Sequence, residues 1–529
     1  MMKSNPFFSF LLVVGSGLGL VHVAAANPFT EWLDGHEVPL EHRGMNDSAS
    51  GDGVSNIVKY ALGLDPMERA DPSELPSTEL ATINGERRLR MEIERTGEAG
   101  EVDWVVEASS DLETWVSEEV NVQENGNSIV AEDTVSTGDS HRRFLRFRVE
   151  PPFDGYLYML GGRTTNTEER EEALDNVDEE LDAVIAMENF RSTLVADVSL
   201  DNHSVTNWRR SGIMPTTHPA NGGDIQWNHI ERSTHVHNGR IYAGPGHFYR
   251  EGHVPANFVT WTDIDYKTGR LGEFSTSEPM PEPPTDNRLQ STAIVEIEGN
   301  AYYYILGGNQ DEAGLTDRII YAAIDSDTGE LGDWQESDIS LPTSDWLNAS
   351  LGVGSRIIHS TGNGVSRGST DIDRVIPDPD GNITTEWVTE TYDDFYARRW
   401  DYTMAIAESP EGNQFLYLLG GVANQEGQDS ANLDEVDVAD LVDGVPSNWR
   451  LAQDPLPDVR RRGGGVGFGD MLILPGGSVT FSYNAAHNDV YIGAVANDGE
   501  VSWSVSDTPL LQIRNYGGTA AVRFARDDN

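Results

Sequence analysis

From Asp154 onward, short apolar runs stopped by paired glycines recur along the chain. They read Gly155-Tyr-Leu-Tyr-Met-Leu-Gly-Gly162, Ala301-Tyr-Tyr-Tyr-Ile-Leu-Gly-Gly308, Phe415-Leu-Tyr-Leu-Leu-Gly-Gly421 and Met471-Leu-Ile-Leu-Pro-Gly-Gly477. Arg240-Ile-Tyr-Ala-Gly-Pro-Gly246 and Arg356-Ile-Ile-His-Ser-Thr-Gly-Asn-Gly364 are weaker copies at the two remaining places. Brief apolar runs bounded by turn residues predict buried strands, and the glycines permit a tight turn after each. An aromatic follows every copy, after a Gly- or Asn-bearing turn: Trp208, Phe274, Trp334, Trp387, Trp449 and Trp503. Four of these six are followed by Met-Pro or Leu-Pro, at Pro215, Pro281, Pro342 and Pro457.

From Gly307 to Gly362, Gly420 and Gly476 the steps are 55, 58 and 56 residues. A repeat of that length, with four short strands per unit, fits one blade of a propeller. Six cycles therefore predict an all-β, six-bladed β-propeller over residues 153–529. The end of the chain, Asn515 to Phe524, reads as a first strand with nothing after it, and the cycle at Gly155 lacks a first strand. The C-terminal strand is expected to complete blade 1 and close the ring, which removes exposed edges. The ordered Gly, Trp and Pro cycles resemble Kelch-type β-propellers, a fold shared with galactose oxidase. Blade 1 departs from the pattern over about 165–189. Leu174, Val177, Leu181 and Val184 recur there at helical spacing, and Asn166 with Glu169 fits a capping box. Either a lid-like helical insertion or a charged solvated excursion satisfies that stretch.

The first 150 residues follow other rules. Lys3, an apolar run from Phe7 to Val23 and Ala24-Ala25-Ala26 read as a signal peptide over 1–26. A secreted or periplasmic protein is expected. Residues 27–150 alternate at period two in Arg88-Leu-Arg-Met-Glu-Ile and Trp104-Val-Val-Glu-Ala, which predicts a small β-rich domain behind a short helix. The stretch Asp47 to Pro66, with Asp52, Gly53, Asn56 and Tyr60-Ala-Leu-Gly63, resembles a module of exported proteins of Verrucomicrobiota-type bacteria. In that family the loop looks like half of a calcium-binding hand. Ser48 and Ser50 replace its first two acids here, and Lys59 stands where a helical Glu is expected. Calcium wants about six oxygen ligands, so no metal is assigned and the loop reads as a helix cap.

Charge narrows the partners. The chain has 529 residues, 36 Lys and Arg against 88 Asp and Glu, and a formal charge of −52. Counterion release needs a basic surface, so nucleic acid and anionic membranes are excluded as unaided partners. No later segment has the apolar length to span a bilayer, and a monomer is expected. The absence of Cys removes disulfides, thiol nucleophiles and the Cys-crosslinked tyrosine of galactose oxidase. No phosphate loop, dinucleotide fingerprint or nucleophile elbow occurs, and no cofactor is assigned.

Aligning the six first strands on their apolar centres puts His229, Arg288, Trp346, Arg399, Arg461 and Arg514 in register. Glu231 and Asp401 lie two residues further on. The innermost strands of a propeller line its axis, so these eight form the candidate ligand-binding set at one channel mouth. Guanidinium forks bind carboxylate or sulfate bidentately, and equally they can pair with acids on adjacent blades and stiffen the ring. In Kelch-type domains that recognise acidic peptides, a similarly placed Arg contacts the ligand. The first expectation is thus an exported carbohydrate- or peptide-binding module for an anionic ligand. The alternative is a sugar-active enzyme similar to sialic acid mutarotases, with Glu231 or Asp401 moving the proton. No catalytic residue is assigned.

Overall fold

The computed structural model describes residues 28–524 apart from ten segments: 97–101, 163–191, 216–229, 247–256, 281–289, 309–313, 363–370, 392–398, 424–430 and 480–485. A few shorter stretches, 40–41, 46, 84, 103, 113, 118, 139, 141, 150–152, 231, 267, 513 and 515, are also outside it. The predicted signal segment and the predicted insertion at 165–189 lie outside the described residues.

Six four-stranded antiparallel sheets follow one another from residue 155. Blade 2 is Thr234–His237, Arg240–Ala243, Thr260–Asp263 and Ser275–Thr276, and blade 3 begins at Ser291–Ile297. Blades 4, 5 and 6 begin at Ala349–Val353, Thr403–Glu408 and Val466–Phe468. Blade 1 draws on both ends of the repeat region: Gly518–Arg523 pairs antiparallel with Gly155–Leu160, ahead of Ser192–Ser199 and Ser204–Ile213. The first strands of neighbouring blades lie side by side in a closed circle. This is a six-bladed β-propeller closed by its own C-terminal strand.

Packing shows why the landmark aromatics recur. Each sits in a separate apolar cluster between its own blade and the one before. Phe274 joins blades 1 and 2, Trp334 blades 2 and 3, and Trp387 blades 3 and 4. Trp449 joins blades 4 and 5, Trp503 blades 5 and 6, and Trp208 closes blade 1 on blade 6. A second tie runs across three of these interfaces. Tyr242 donates to the Gly329 carbonyl at 3.0 Å, Tyr304 to Gly381 at 2.7 Å and Tyr417 to Gly499 at 3.0 Å. In every case a second-strand tyrosine reaches the turn between the third and fourth strands of the next blade. The inner strands crowd the axis so closely that a Cβ on Gly467 would lie 1.6 Å from the Ile406 carbonyl oxygen.

The N-terminal region has its own core. Ser77–Ile83, Glu86–Glu94, Ser128–Asp133 and Val120–Asn125 form one sheet, and Trp104–Ser109 pairs with Phe144–Val149. Met91, Ile93, Val106, Ile129 and Ala131 are buried between them, as the period-two pattern requires. The helices Pro28–Gly35 and Asn56–Leu62 pack Phe29 and Leu33 against Ile57 and Tyr60. This region touches the propeller at blades 1 and 2. Asn207 donates to the Arg43 carbonyl at 3.2 Å, and Arg270 lies 3.2 Å from Asp47.

Candidate functional site

Ahead of the inner strands of blades 4, 5, 6 and 1 the chain makes a short hook at the channel mouth. Its third residue takes a left-handed conformation although it is not glycine: Leu347 (φ 56°), Asp401 (φ 61°), Arg462 (φ 55°) and Tyr516 (φ 60°). Such backbones are uncommon and persist where surrounding contacts hold them. Here those contacts are backbone hydrogen bonds between successive hooks. Ile230 N–H donates to Tyr516, Tyr516 to Arg462, Arg462 to Asp401 and Asp401 to Leu347, at 3.1, 2.7, 3.4 and 3.4 Å. The hooks thereby form a belt around the mouth.

The paired glycines serve this belt. In three pairs the second glycine donates its N–H to the first residue of the next hook: Gly308 to Asp345, Gly421 to Arg460 and Gly477 to Arg514. At Gly421 (φ 93°) a Cβ would stand 2.7 Å from that of Tyr402 and 2.8 Å from the Trp400 oxygen, so only glycine fits.

The first hook residue latches its own blade. Arg399 donates to the Gly420 and Glu435 carbonyls at 2.5 Å each and pairs with the buried Asp437. Arg514 donates to the Gly161 and Ser192 carbonyls at 2.7 and 2.9 Å, and burial with Arg210 nearby pushes it down to about 9. In blade 6 the residue in this place is Arg460, which donates to Gly476 at 2.9 Å and lies over the Tyr491 ring. In blade 4 it is Asp345, which accepts from Gly362 N–H and Asn348 Nδ2 at 2.8 and 2.6 Å.

The register expected from apolar centres is therefore one residue off in blades 3, 4 and 6. In blade 3, Thr292 rather than Ala293 faces Ile305, two residues before Gly307. Met404 and Thr519 pair two residues before the first glycine of their blades, opposite Leu418 and Met159. In blade 4 Thr361 stands in the first-glycine place, its N–H bonded to Asp371 as that of Gly420 is to Glu435, so Ser350, opposite His359, holds the paired position. In blade 6 Leu472 and Ile473 face Gly467 and Val466, which leaves Gly465 for it. Neither Ser nor Gly is apolar, so the apolar centre shifts by one. Trp346 and Arg461 are consequently second hook residues. Trp346 packs with Leu347, Trp400 and Val422.

Arg461 points elsewhere, and so do two arginines absent from the sequence-derived set. The Asp401 carboxylate collects all three. Its Oδ2 accepts from Arg461 Nε at 2.9 Å, with Nη2 closer still, and from Arg462 Nε at 3.1 Å. Its Oδ1 accepts from Arg232 Nη2 at 2.7 Å. Arg232 belongs to blade 2, which faces blade 5 across a ring of six, so this ion pair bridges the mouth. Arg462 also lies over the Tyr516 ring, 4.9 Å from its centre. Burial alone would raise the Asp401 pKa, but Arg461, Arg232 and Arg462 outweigh it and hold the carboxyl well below the usual range. His229, Glu231 and Arg288 lie outside the described residues.

Among the described residues, other constellations serve as ties and turns. Ser350 Oγ is 2.9 Å from His359 Nδ1, and His359 Nε2 is 3.4 Å from Asp345 Oδ2, an order resembling a nucleophile relay. All three are buried, however, and Ser350 Oγ is engaged by Ser291 Oγ at 2.6 Å, so the chain ties blade 3 to blade 4. Asp325 accepts from the N–H groups of Asp327 and Thr328 in a hairpin turn. Among the described residues, no group of three His, Asp or Glu is arranged to hold a metal ion.

No protein-family model matches the chain, and no curated protein does. A solved structure does match. Described as the structure of YjhT, it is 12% identical, with a TM-score of 0.40 over 59% of this chain and 91% of that one. The propeller reading rests on the sheets and interfaces described above. No helix among the described residues is long and apolar enough to cross a membrane.

Proposed function

We propose that the chain is an exported Kelch-type binding module, with residues 27–150 as an accessory domain and 153–529 as the propeller. It takes an anionic ligand, an acidic glycan or an acidic peptide, at the channel mouth. One observation carries the reading: guanidinium groups from blades 2 and 6 converge on a single carboxylate at the axis, in a chain of net charge −52. Arg presents planar, bidentate donors that match carboxylate and sulfate. The latching arginines, Arg399, Arg460 and Arg514, serve the ring instead.

A ring-opening enzyme would need a proton carrier at this place. Asp401 is held ionised by its three partners and is a poor base, so the binding reading is the better supported. Titration calorimetry with acidic oligosaccharides, a sulfated glycan and polyglutamate, each against a neutral counterpart, tests it. Saturable binding of an acidic member that Arg462→Ala weakens at least about ten-fold is expected. Binding unaffected by Arg462→Ala and Arg232→Ala would remove the mouth as the site. Salt should speed association, because it screens the long-range repulsion of the acidic shell.

A further inference from the structure

We infer that Asp401 is a built-in stand-in for the ligand's acidic group, and that an external anion binds by taking Arg232 and Arg462 away from it. This inference rests on the anion-binding reading of the mouth.

The cluster divides into a fixed part and an exchangeable part. Arg461 offers two N–H groups to Asp401 Oδ2, and its side chain is 2% exposed. That is the geometry of a permanent buried pair. Arg232 and Arg462 each touch the carboxylate through a single nitrogen, Nη2 and Nε, and their side chains are 6% and 12% exposed. Arg462 is stacked on Tyr516, which fixes the guanidinium plane independently of Asp401. An arriving carboxylate or sulfate can take over donors of these two while Arg461 keeps Asp401 ionised and buried. No bond is broken except hydrogen bonds, and no group is transferred.

A tethered competitor has a measurable signature. The apparent dissociation constant of a ligand rises by the fraction of time its site is already filled. Asp401 is anchored in the hook belt through its own N–H, bonded to Leu347, and its carbonyl, bonded to Arg462. Its local concentration at the arginines therefore greatly exceeds that of any free anion. The mouth is thereby selective for ligands that present more than one acidic group or a larger contact surface, since a single weak anion does not outcompete the tether.

The test is calorimetric titration of sodium sulfate, at ionic strength held constant with sodium chloride, into the full-length protein and its Asp401→Asn variant. The amide keeps the shape of the side chain and one acceptor oxygen but loses the charge. Sulfate is expected to bind the variant at least ten-fold more tightly than the parent, and Arg232→Gln in the Asn background to reverse the gain. Equal affinity in both proteins, with loss on Arg232→Gln alone, would overturn the stand-in while leaving the anion site in place. Absence of sulfate binding in the variant as well as in the parent would overturn both. Should Asp401→Asn not fold, a crystal structure of the parent soaked in selenate decides the matter. An ion between Arg232 and Arg462 with the 2.7 Å contact to Asp401 broken supports the inference. The same ion with that contact intact overturns it.

Discussion

Lys59 Nζ lies 2.9 Å from Asp52 Oδ2, with neither side chain more than 3% exposed. The ammonium also donates to Ser50 Oγ at 2.7 Å and to the carbonyls of Glu68 and Pro66 at 2.5 and 3.4 Å. An oxygen cage of this kind suits a cation, and the lysine on helix Asn56–Leu62 supplies one covalently. Asp52 in turn accepts from the N–H groups of Ala70 and Val54, which with Lys59 outweigh burial and hold it well below its usual pKa.

Removing the lysine charge should therefore unfold the loop from within. Lys59→Met leaves Asp52 ionised and buried without its partner, which costs about 3–5 kcal/mol. Chemical denaturation of the full-length protein, followed by the N-terminal tryptophans, measures it. Calcium should leave the melting temperature of the parent unchanged, since the ammonium already fills the cage. A calcium-dependent rise of several degrees would show a metal site that this arrangement does not provide.

The two kinds of arginine at the mouth should separate in a paired measurement of stability and affinity. Arg399→Ala strands the buried Asp437 and removes a latch within blade 5, so stability should fall by about 3–5 kcal/mol with ligand affinity intact. Arg462→Ala should do the reverse, costing any identified acidic ligand about 1.5–3 kcal/mol and the fold little. Thermal melts and calorimetry on both variants check the pair. Equal loss of affinity in both would mean that the latching arginines also touch ligand.

How much of this was legible beforehand depends on what the residue types were doing. The glycine pairs answer a backbone demand, the approach of one hook to the next, and the landmark aromatics answer an interface demand that recurs six times. Both leave a period in the sequence. The closing strand was legible for the same reason, as a unit missing its mates, and Gly518–Arg523 pairs where that argument puts it. The site was only half legible. Inner strands face the axis and tolerate Ser350 and Gly465, so apolar centres mark the register poorly there. The run Arg460-Arg461-Arg462 hides three destinations within three residues: a latch, a buried pair and a stacked, part-exposed donor. Arg232 meets Asp401 from 169 positions away in the chain, and no local pattern signals that.

The interblade tyrosines give a graded test of ring closure. Tyr304→Phe removes one hydroxyl that reaches the Gly381 carbonyl across the interface of blades 3 and 4. The ring stays packed, so the loss is that of a single buried hydrogen bond, about 1 kcal/mol. Tyr242→Phe and Tyr417→Phe act at other interfaces, far enough apart for the three effects to add within about 0.5 kcal/mol. Urea denaturation of the single and triple variants measures the sum. A triple variant as stable as the parent would mean that the aromatic clusters alone hold the blades together.

Two histidines, His359 buried and His235 half-buried, should shape the pH dependence of stability in opposite senses. His235 lies against Thr292 Oγ1 at 2.6 Å and the Tyr303 ring, and burial pushes its pKa down from 6.5 to about 4. The unfolded chain then binds the proton more readily, so this contribution is present above pH 6.5 and is lost as pH falls toward 4. His359 is the reverse. Burial would lower its pKa, but Asp345 at 3.4 Å, with Asp373 also near, outweighs that and raises it. Its contribution is present below pH 6.5 and is lost as pH rises through the raised value. Asp373, raised by burial, acts on the acid side of both parent and variants, so the comparison is made by difference. Denaturation across pH 4.5–9 should show His235→Gln flattening the acid limb relative to the parent and His359→Gln flattening the alkaline limb. Parallel curves for parent and His235→Gln between pH 4.5 and 6.5 would mean that His235 is protonated in the folded ring, against the apolar, single-partner pocket in which it sits.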